Sequence, residues 1–284
     1  MIFTEVSNKD WLDDLIDVAL AEDIGGGDVT TDAIIDDQKK AKAVWVAKQD
    51  GVVTGLNVAK FVFQKLDEKM NWKPLIKDPA PVKNGDLIVE ITGNCRSILT
   101  AERTALNLAQ RMSGIATKTA EIVKELDGFS TKILDTRKTV PGLRRLDKMA
   151  VEAGGGTNHR MGLYDLAMIK DNHIEAAGSI AAAVKRVRSD NPDIRIEVET
   201  TNIDQVGEAL DAGADIIMLD NMSLVDMRKA VDVIGNRAQT EASGNITKGN
   251  IREVADTGVN FISVGALTHS VKAFDISQRI TEIF

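Results

Sequence analysis

The second half of the chain repeats a short apolar run followed by a helical stretch. The runs are IRIEVET, ADIIMLD, RAQTEAS and VNFISVG, and segments such as IDQVGEALDAG and LVDMRKAVDVIG separate them. The residues that end these runs, Glu199, Asp220, Ser243 and Gly265, follow one another at intervals of about 21 to 23 residues. Alternation of strand and helix predicts parallel βα units, so this half of the chain is constrained to a βα architecture.

The regular period favours a barrel-like domain, and the number of strands leaves its closure open. Two earlier runs, TKILDT and LAMIK, extend the series to about six or seven strands, fewer than the eight of a closed barrel. A doubly wound open sheet is the alternative. Such a sheet normally carries a glycine-rich phosphate turn after its first strand, and neither GxGxxG nor GxxxxGK[ST] occurs in the sequence.

The first part of the chain mixes helices with antiparallel strands. Helices are predicted from Ser7 to the GGGD at 25–28 and over LNVAKFVFQKLDEK. KAKAVWVAKQDGVVTGL is typical of two strands joined by a turn at Asp50-Gly51. A long helix is predicted from Thr100 to Gly128, with a break at Ser113-Gly114. These elements indicate an α+β pattern in the part of the chain that precedes the βα units.

Composition excludes several classes of protein. Hydrophobic residues make up 43% and charged residues 27% of the chain, as in ordinary globular domains. A single cysteine, Cys95, excludes an internal disulfide framework. The net charge of −8 argues against nucleic-acid and anionic-membrane partners, and no signal-like or membrane-spanning apolar run occurs. We therefore expect a cytoplasmic protein.

Positive charge is concentrated where the βα units begin. Between Lys132 and Lys170 there are eight Lys or Arg residues and four acidic ones. This island indicates a local site for a small anion, although a solvated helix face would explain Arg144, Arg145 and Lys148 equally well.

Residues at the ends of the predicted strands are candidates for one shared pocket, because the carboxyl ends of barrel strands converge on one mouth. Carboxylates there suit Mg²⁺, and small residues let backbone N–H groups approach a phosphate. Glu199 is equally explained as a helix-start acid and Asp220 as a helix cap. The candidates are Arg137, Lys138, Lys170, Glu199, Asp220, Ser243, Gly244, Gly265 and Ala266.

The segment GGGTNHRMG at 154–162 places three glycines before His159 and Arg160. Glycine after the helical MAVEA permits a left-handed residue that ends the helix. A tight turn here would direct His159 and Arg160 towards the same mouth, where an arginine can grip a carboxylate with two hydrogen bonds. His173 is a weaker candidate, whose role would be only to orient Lys170 or to cap a turn, and His269 and Tyr164 receive no role.

Eight motifs spread over most of the chain carry a resemblance. They are AEDIGGGDVTTDA, ERTALNLAQRMSGIAT, DTRKTVPGLR, GGGTNHRMGLYDLAMIKDNH, EVET, MLDN, EASGNI and SVGALTHS. Together they resemble the quinolinate phosphoribosyltransferase family, also called nicotinate-nucleotide pyrophosphorylase (carboxylating). The resemblance implies an N-terminal α/β sandwich over residues 1–112, completed by the tail 271–284, and an incomplete βα barrel over residues 113–270.

The same resemblance implies a Mg²⁺-dependent pentosyltransferase without an organic cofactor. This enzyme, nicotinate-nucleotide diphosphorylase (carboxylating) of NAD biosynthesis, transfers the phosphoribosyl group of phosphoribosyl pyrophosphate to quinolinate. The products are nicotinate mononucleotide, pyrophosphate and CO₂. A homodimer or higher homo-oligomer is implied.

The resemblance also implies a role for each candidate. Arg137, His159, Arg160 and Lys170 would surround the quinolinate carboxylates, together with Arg103 from across a dimer interface. Lys138 and Lys170 would face the pyrophosphate, and Glu199 and Asp220 the ribose hydroxyls and the metal; these four are the implied catalytic residues. The 5-phosphate would lie against Ser243, Gly244, Asn245, Gly265 and Ala266. Thr136, Ser263 and Val264 are further implied substrate contacts.

Three alternatives stay open from the sequence. One is a related paralogue, of the type associated with molybdenum transport, that acts on another anionic ring or phosphosugar. Another is transfer to nicotinate without decarboxylation. The third is a non-catalytic protein that binds phosphoribosyl pyrophosphate.

Overall fold

A computed structural model describes residues 6–284, with side chains from Trp11 onward. The chain forms two compact units. The first runs to Lys118 and also includes Arg145–Gly154 and Ser270–Phe284, and the second comprises Thr119–Arg144 and Gly155–His269. The first unit thus holds residues 113–118 and 145–154, which the sequence assigned to the barrel. Within the described residues, no helix is long and apolar enough to cross a membrane.

In its described part, from residue 6 onward, the first unit contains six strands and all or part of five helices. The strands are β1 Lys40–Ala47, β2 Gly51–Val53, β3 Asn71–Pro74, β4 Ala80–Val82, β5 Leu87–Asn94 and β12 Ile276–Ile283. The helices are α1 Val6–Ile24, α2 Val29–Ile34, α3 Leu56–Leu66, α4 Cys95–Glu125, which continues into the second unit, and α5 Arg144–Ala153. Four of the strands form a sheet in the order β12-β1-β5-β3.

Strand β1 is central in this sheet because both of its edges are paired. It runs antiparallel to β5 on one side and to the C-terminal strand β12 on the other. The two strands predicted on either side of the Asp50-Gly51 turn are present as β1 and β2, but they do not pair with each other. Since β1 has no edge left, β2 pairs instead with β4 in a separate two-stranded sheet.

Three aromatic rings fill the core between this sheet and α3. Trp45 on β1 is fully buried, and its ring centroid lies 6.1 Å from that of Phe63 and 5.5 Å from that of Trp72. The indole N–H of Trp45 donates to Oε1 of Gln278 on β12, at 2.9 Å. The buried polar end of Trp45 is thus satisfied by the C-terminal strand, which joins that strand to the core.

Helix α4 is continuous, so the predicted break at Ser113-Gly114 is wrong. Gly114 serves a different purpose. A Cβ atom there would overlap the carbonyl oxygen of Lys272 and lie 3.2 Å from the backbone nitrogen of Phe274. Phe274 donates its N–H to the carbonyl of Gln110, at 2.9 Å. The absent side chain lets the segment before β12 lie directly on the helix.

The second unit carries the parallel strands. They are β6 Lys132–Leu134, β7 Ala167–Ile169, β8 Ile196–Thr200, β9 Ile216–Asp220, β10 Gln239–Ser243 and β11 Phe261–Ser263. The helices between them are α6 Asp171–Ala177, α7 Ile180–Asp190, α8 Ile203–Asp211, α9 Leu224–Ile234, α10 Ile251–Ala255 and α11 Ala266–His269. Each predicted apolar run has become one of these strands.

The six strands form one parallel sheet in the order β6-β11-β10-β9-β8-β7. Strands β6 and β7 are its two edges, so the expected incomplete βα barrel is confirmed. The pairing of Ser243 with Asp220 and of Glu199 with Met218 shows that neighbouring strands end at nearly the same level. The residues at these ends therefore share one edge of the sheet.

We expect Gly114→Ala to destabilise the protein by about 1–3 kcal/mol, because the new methyl group must displace the backbone at Lys272. Gly207→Ala is the matched control: Gly207 is also helical, but nothing lies within 4 Å of a Cβ built there. The control should stabilise the protein by up to about 1 kcal/mol, because alanine favours a helix over glycine. Chemical denaturation measures both changes. Equal effects of the two substitutions would contradict the close approach at Gly114.

Candidate functional site

A cavity of about 280 Å³ opens at the carboxyl ends of the parallel strands, within the second unit. It is lined by Thr136, Arg137, Lys138, His159, Arg160, Met168, Lys170, Glu199, Met218, Asp220, Glu241, Ser243 and Ser263. A second cavity of about 530 Å³ adjoins it, and five residues, Thr136, Lys138, Asp220, Ser243 and Ser263, line both. Gly244, Asn245, Gly265 and Ala266 line the second cavity. The two spaces bring most of the candidate residues together.

Two of the residues implied by the resemblance lie elsewhere. Val264 is 3% exposed and lines neither cavity; its N–H donates to the carbonyl of Leu134 and pairs β11 with β6. Arg103 lies on an exposed face of α4, in the first unit. A role for Arg103 thus stays a prediction.

Two guanidinium groups face the first cavity. Arg160 donates from Nη1 to the carbonyl of Leu166, at 3.2 Å, which fixes the side chain beside β7. Burial lowers the pKa of Arg160, and the positive charge of Arg137 lowers it further. Because partly buried like charges repel, binding an anion between Arg137 and Arg160 would relieve the repulsion.

Lys170 lies directly after β7 and pairs with a carboxylate from the next strand. Its Nζ lies 2.7 Å from Oε2 of Glu199, at the end of β8. The backbone N–H of Lys170 donates to Nδ1 of His173, at 3.0 Å. The role considered for His173, orienting Lys170 or capping a turn, agrees with the structure: His173 caps the start of α6 and thereby holds the backbone of Lys170.

The loop after β10 is held by a residue that the sequence analysis missed. Asn221 adopts a left-handed backbone with φ of 53°, and its N–H donates to the carbonyl of Ser243 at 2.9 Å. Its side chain donates to Oδ2 of Asp220 at 2.8 Å and accepts from Nδ2 of Asn245 at 3.0 Å. A Cβ on Gly244 would overlap the Asn221 carboxamide. The Asn in MLDN was a usable signal, because asparagine tolerates this backbone better than most residues.

The segment after the three glycines is fixed by the edge strand β6. Thr157 pairs with Leu134, and its N–H donates to the carbonyl of Ile133 at 2.8 Å. The N–H of His159 then donates to Oδ1 of Asp135, also at 2.8 Å. Gly155, with φ of 87°, supplies the left-handed residue expected at the end of the helix. Strand pairing and Asp135, in addition to the glycine turn, position His159 and Arg160.

Two buried glutamates lie below the rim of the cavity and were missed by the sequence analysis. Glu197 on β8 and Glu241 on β10 are both fully buried. Nε2 of His159 lies 3.0 Å from Oε2 of Glu197 and 3.4 Å from Oε2 of Glu241. A signal was present, because each glutamate precedes a candidate, Glu199 or Ser243, by two residues and so points to the same face of its strand.

The charges of these glutamates act on His159. Burial by itself lowers the pKa of the imidazole, but hydrogen bonding and charge from Glu197 and Glu241 outweigh it, so that the pKa is raised. Burial also raises the pKa of Glu197, while His159 opposes that rise. Nδ1 of His159 accepts the N–H of Arg160 at 2.6 Å, which opposes a second proton on the ring. We therefore assign the ring proton to Nε2, facing the glutamates.

Two sets of side chains in the cavity offer metal ligands. Ligand atoms of His159, Glu197 and Glu241 lie within 4.8 Å of one another. A metal on Nε2 of His159 would require the proton on Nδ1, where the N–H of Arg160 already points. Glu199 and Asp220 fit better. The hydrogen bonds from Lys170 and Asn221 engage one oxygen of each carboxylate, which leaves a second oxygen for a hard cation such as Mg²⁺.

Comparison with known proteins gives a consistent result. Residues 28–113 match the model of the quinolinate phosphoribosyl transferase N-terminal domain, and residues 115–279 match that of the C-terminal domain. A probable nicotinate-nucleotide pyrophosphorylase [carboxylating] of Bacillus subtilis is 48% identical over 92% of this chain and 90% of its own. A mitochondrial quinolinate phosphoribosyltransferase [decarboxylating] 2b of Nicotiana tabacum is 43% identical over 95% of this chain and 82% of its own.

Solved structures agree with the sequence matches. The crystal structure of NadC from Streptococcus pyogenes superposes with a TM-score of 0.92 at 42% identity, and covers 96% of both chains. The two domain models together span nearly the whole chain, and the relatives match it at well above 30% identity. This chain therefore belongs to the quinolinate phosphoribosyl transferase family.

Proposed function

We propose that this protein is a nicotinate-nucleotide diphosphorylase (carboxylating), an enzyme of NAD biosynthesis. It transfers the phosphoribosyl group of phosphoribosyl pyrophosphate to quinolinate, and releases pyrophosphate and CO₂. The observation that carries this proposal is a single pair of adjoining cavities in which a cluster of cations, two carboxylates and a small-residue loop meet. The names of relatives such as the B. subtilis protein support the same reaction.

The cationic side matches the charge of the two substrates. Quinolinate is a dianion and phosphoribosyl pyrophosphate carries several negative charges, so their approach costs about 4 kcal/mol per unit pair at about 4 Å in a surface-like dielectric. Arg137 and Arg160 can each grip a carboxylate of quinolinate with paired hydrogen bonds. Lys138, which lines both cavities, faces the pyrophosphate in this proposal.

The phosphate end of the sugar is assigned to the second cavity. Gly244 adopts φ of 94°, and together with Gly265 it brings backbone close to the cavity without an intervening side chain. Backbone N–H groups in such a loop form a concave seat for an anion. We place the 5-phosphate among Ser243, Gly244, Asn245, Gly265 and Ala266.

The reaction needs charge stabilisation and alignment. As the bond between C1′ and pyrophosphate breaks, positive charge develops on the ribose, which Glu199 and Asp220 stabilise from the ends of β8 and β9. The ring nitrogen of quinolinate forms the new bond to C1′ and becomes cationic. The bond to the 2-carboxylate then breaks; its electron pair stays on the ring carbon and takes up a proton, while CO₂ leaves. Alignment of both reactants supplies about 7–11 kcal/mol of the barrier reduction.

A divalent cation belongs to this proposal. Glu199 and Asp220 would hold Mg²⁺, since both are oxygen ligands beside the proposed pyrophosphate site. When bound, the ion would supply positive charge to the leaving group. No organic cofactor is needed, because the alkylated ring itself accepts the electrons released by decarboxylation.

The function is tested directly with quinolinate that carries an isotopic label in its 2-carboxylate, by measuring the labelled CO₂ that is released. We expect release only when phosphoribosyl pyrophosphate and Mg²⁺ are both present, with one nicotinate mononucleotide formed per CO₂. Calorimetric binding of phosphoribosyl pyrophosphate without any product would instead support a non-catalytic binding protein. Conversion of nicotinate at a comparable rate, without CO₂, would replace quinolinate as the substrate.

We expect Glu199→Gln and Asp220→Asn each to lower kcat by about 100-fold or more, because a group that stabilises developing charge is lost. The amides preserve the shape of the side chains, so the folded state should be retained. Asp226→Asn is the control, since Asp226 is an exposed acid on α9 that lines neither cavity. Kinetics over a Mg²⁺ titration measure the effect. Wild-type kcat in the two site variants would remove both carboxylates from the mechanism.

In the proposed homodimer, Arg103 of one subunit reaches the active site of the other. Its exposed position on α4 leaves it available to a second copy of the chain. The homodimer is proposed from the family resemblance. The cytoplasmic location and the absence of nucleic-acid and membrane partners are proposed from the composition of the chain.

A mixture of two inactive variants tests the shared site. Arg103→Ala and Arg137→Ala should each be nearly inactive alone. In a purified heterodimer one of the two sites keeps both arginines, so we expect about half of the wild-type activity per dimer. Tagged heterodimers, verified by mass, provide the measurement, and each variant homodimer is the control. An inactive heterodimer would show that Arg103 does not cross between subunits.

A further inference from the structure

The interior of the parallel sheet carries charge where bulky apolar residues are usual. Side chains that point into a βα barrel form layers, and these are normally filled by branched hydrophobic residues. On β8 and β10, the layer below Glu199 and Ser243 contains Glu197 and Glu241, both with no exposed surface. Two buried carboxylates in one layer are costly unless nearby groups compensate them. A purely structural sheet would gain nothing from this arrangement.

The two glutamates converge on one nitrogen of one ring. Nε2 of His159 lies 3.0 Å from Oε2 of Glu197 and 3.4 Å from Oε2 of Glu241, so both carboxylates lie against the same ring nitrogen. The hydroxyl of Ser263 donates to the other oxygen of Glu241, and fixes that carboxylate in turn. Since Glu197 and Glu241 come from two strands separated only by β9, the rigid sheet sets the orientation of the imidazole.

The orientation of the His159 imidazole in turn affects Arg160, which is proposed to bind a carboxylate of quinolinate. Nδ1 of His159 accepts the backbone N–H of Arg160 at 2.6 Å, and both residues line the first cavity. A rotation of the imidazole would therefore displace the backbone from which the Arg160 side chain extends. The charges of both glutamates also favour a proton on Nε2, the nitrogen that faces them.

We propose that Glu197 and Glu241 are positioning residues for the dicarboxylate ring: they hold His159, and through it Arg160, in the orientation that receives the substrate carboxylates. They are assigned no contact with a reacting atom: their contact with the imidazole carries the effect. This inference rests on the proposed function. It adds two buried residues to the site. It also predicts an effect on the binding of quinolinate and none on the binding of phosphoribosyl pyrophosphate.

The test compares the KM values of the variants for the two substrates. We expect Glu241→Gln and Glu197→Gln to raise the KM for quinolinate by about tenfold, because the charged contact that holds His159 is lost. The KM for phosphoribosyl pyrophosphate should stay within about twofold, since neither glutamate lines the second cavity, where its 5-phosphate is placed. Thr240→Ser is the control: Thr240 lies on the same strand, faces Asn260 and lines neither cavity.

A double-mutant cycle tests whether the glutamate acts through the histidine. In a His159→Ala background, Glu241→Gln should raise the KM for quinolinate no further, because the group it positions is gone. Equal effects of Glu241→Gln with and without His159 would overturn the proposal. So would variants that melt early and weaken both substrates alike, since that result assigns the glutamates a structural role only. If the wild-type protein releases no CO₂ from quinolinate, the proposed function itself fails. The wild-type assay is therefore carried out before any variant is measured.

Discussion

Pairing of buried charge is the constraint on which the second unit depends. A carboxylate removed from water is tolerated only when a partner offsets the lost hydration. Glu197 and Glu241 meet the imidazole of His159, and Glu199 meets the ammonium of Lys170. Each pair joins different strands or a strand to a loop. The same contacts therefore connect the strands of the sheet and shape the cavity.

The cations that line the cavity are less fully compensated. Arg137 and Arg160 face the same space, and the lowered pKa of Arg160 reflects burial together with this repulsion. A protein with a net charge of −8 thus maintains a locally positive cavity. Such local charge favours a small, highly charged anion over an extended polyanion, because the surrounding surface repels the latter. The geometry therefore supports two anionic small molecules as the substrates.

Much of the fold could be predicted because its pattern is periodic. The six apolar runs became β6 to β11, and the incomplete barrel that the family resemblance implied is confirmed by the six-stranded sheet. The departures lie where pairing is non-local. The turn at Asp50-Gly51 did not form a hairpin, since β5 and the distant β12 occupy both edges of β1. Gly114 did not break α4, because its role is to admit the backbone at Lys272.

The sequence by itself determined the βα order, the strand ends and the residue types that reach the cavity, because these depend on local periodicity and on the common direction of parallel strands. Only the tertiary structure decided which groups touch. That Asn221 holds the loop of Gly244, that Asp135 holds His159, and that two glutamates meet one imidazole nitrogen are contacts between distant segments. Such contacts are set by strand order and packing, which no local pattern encodes.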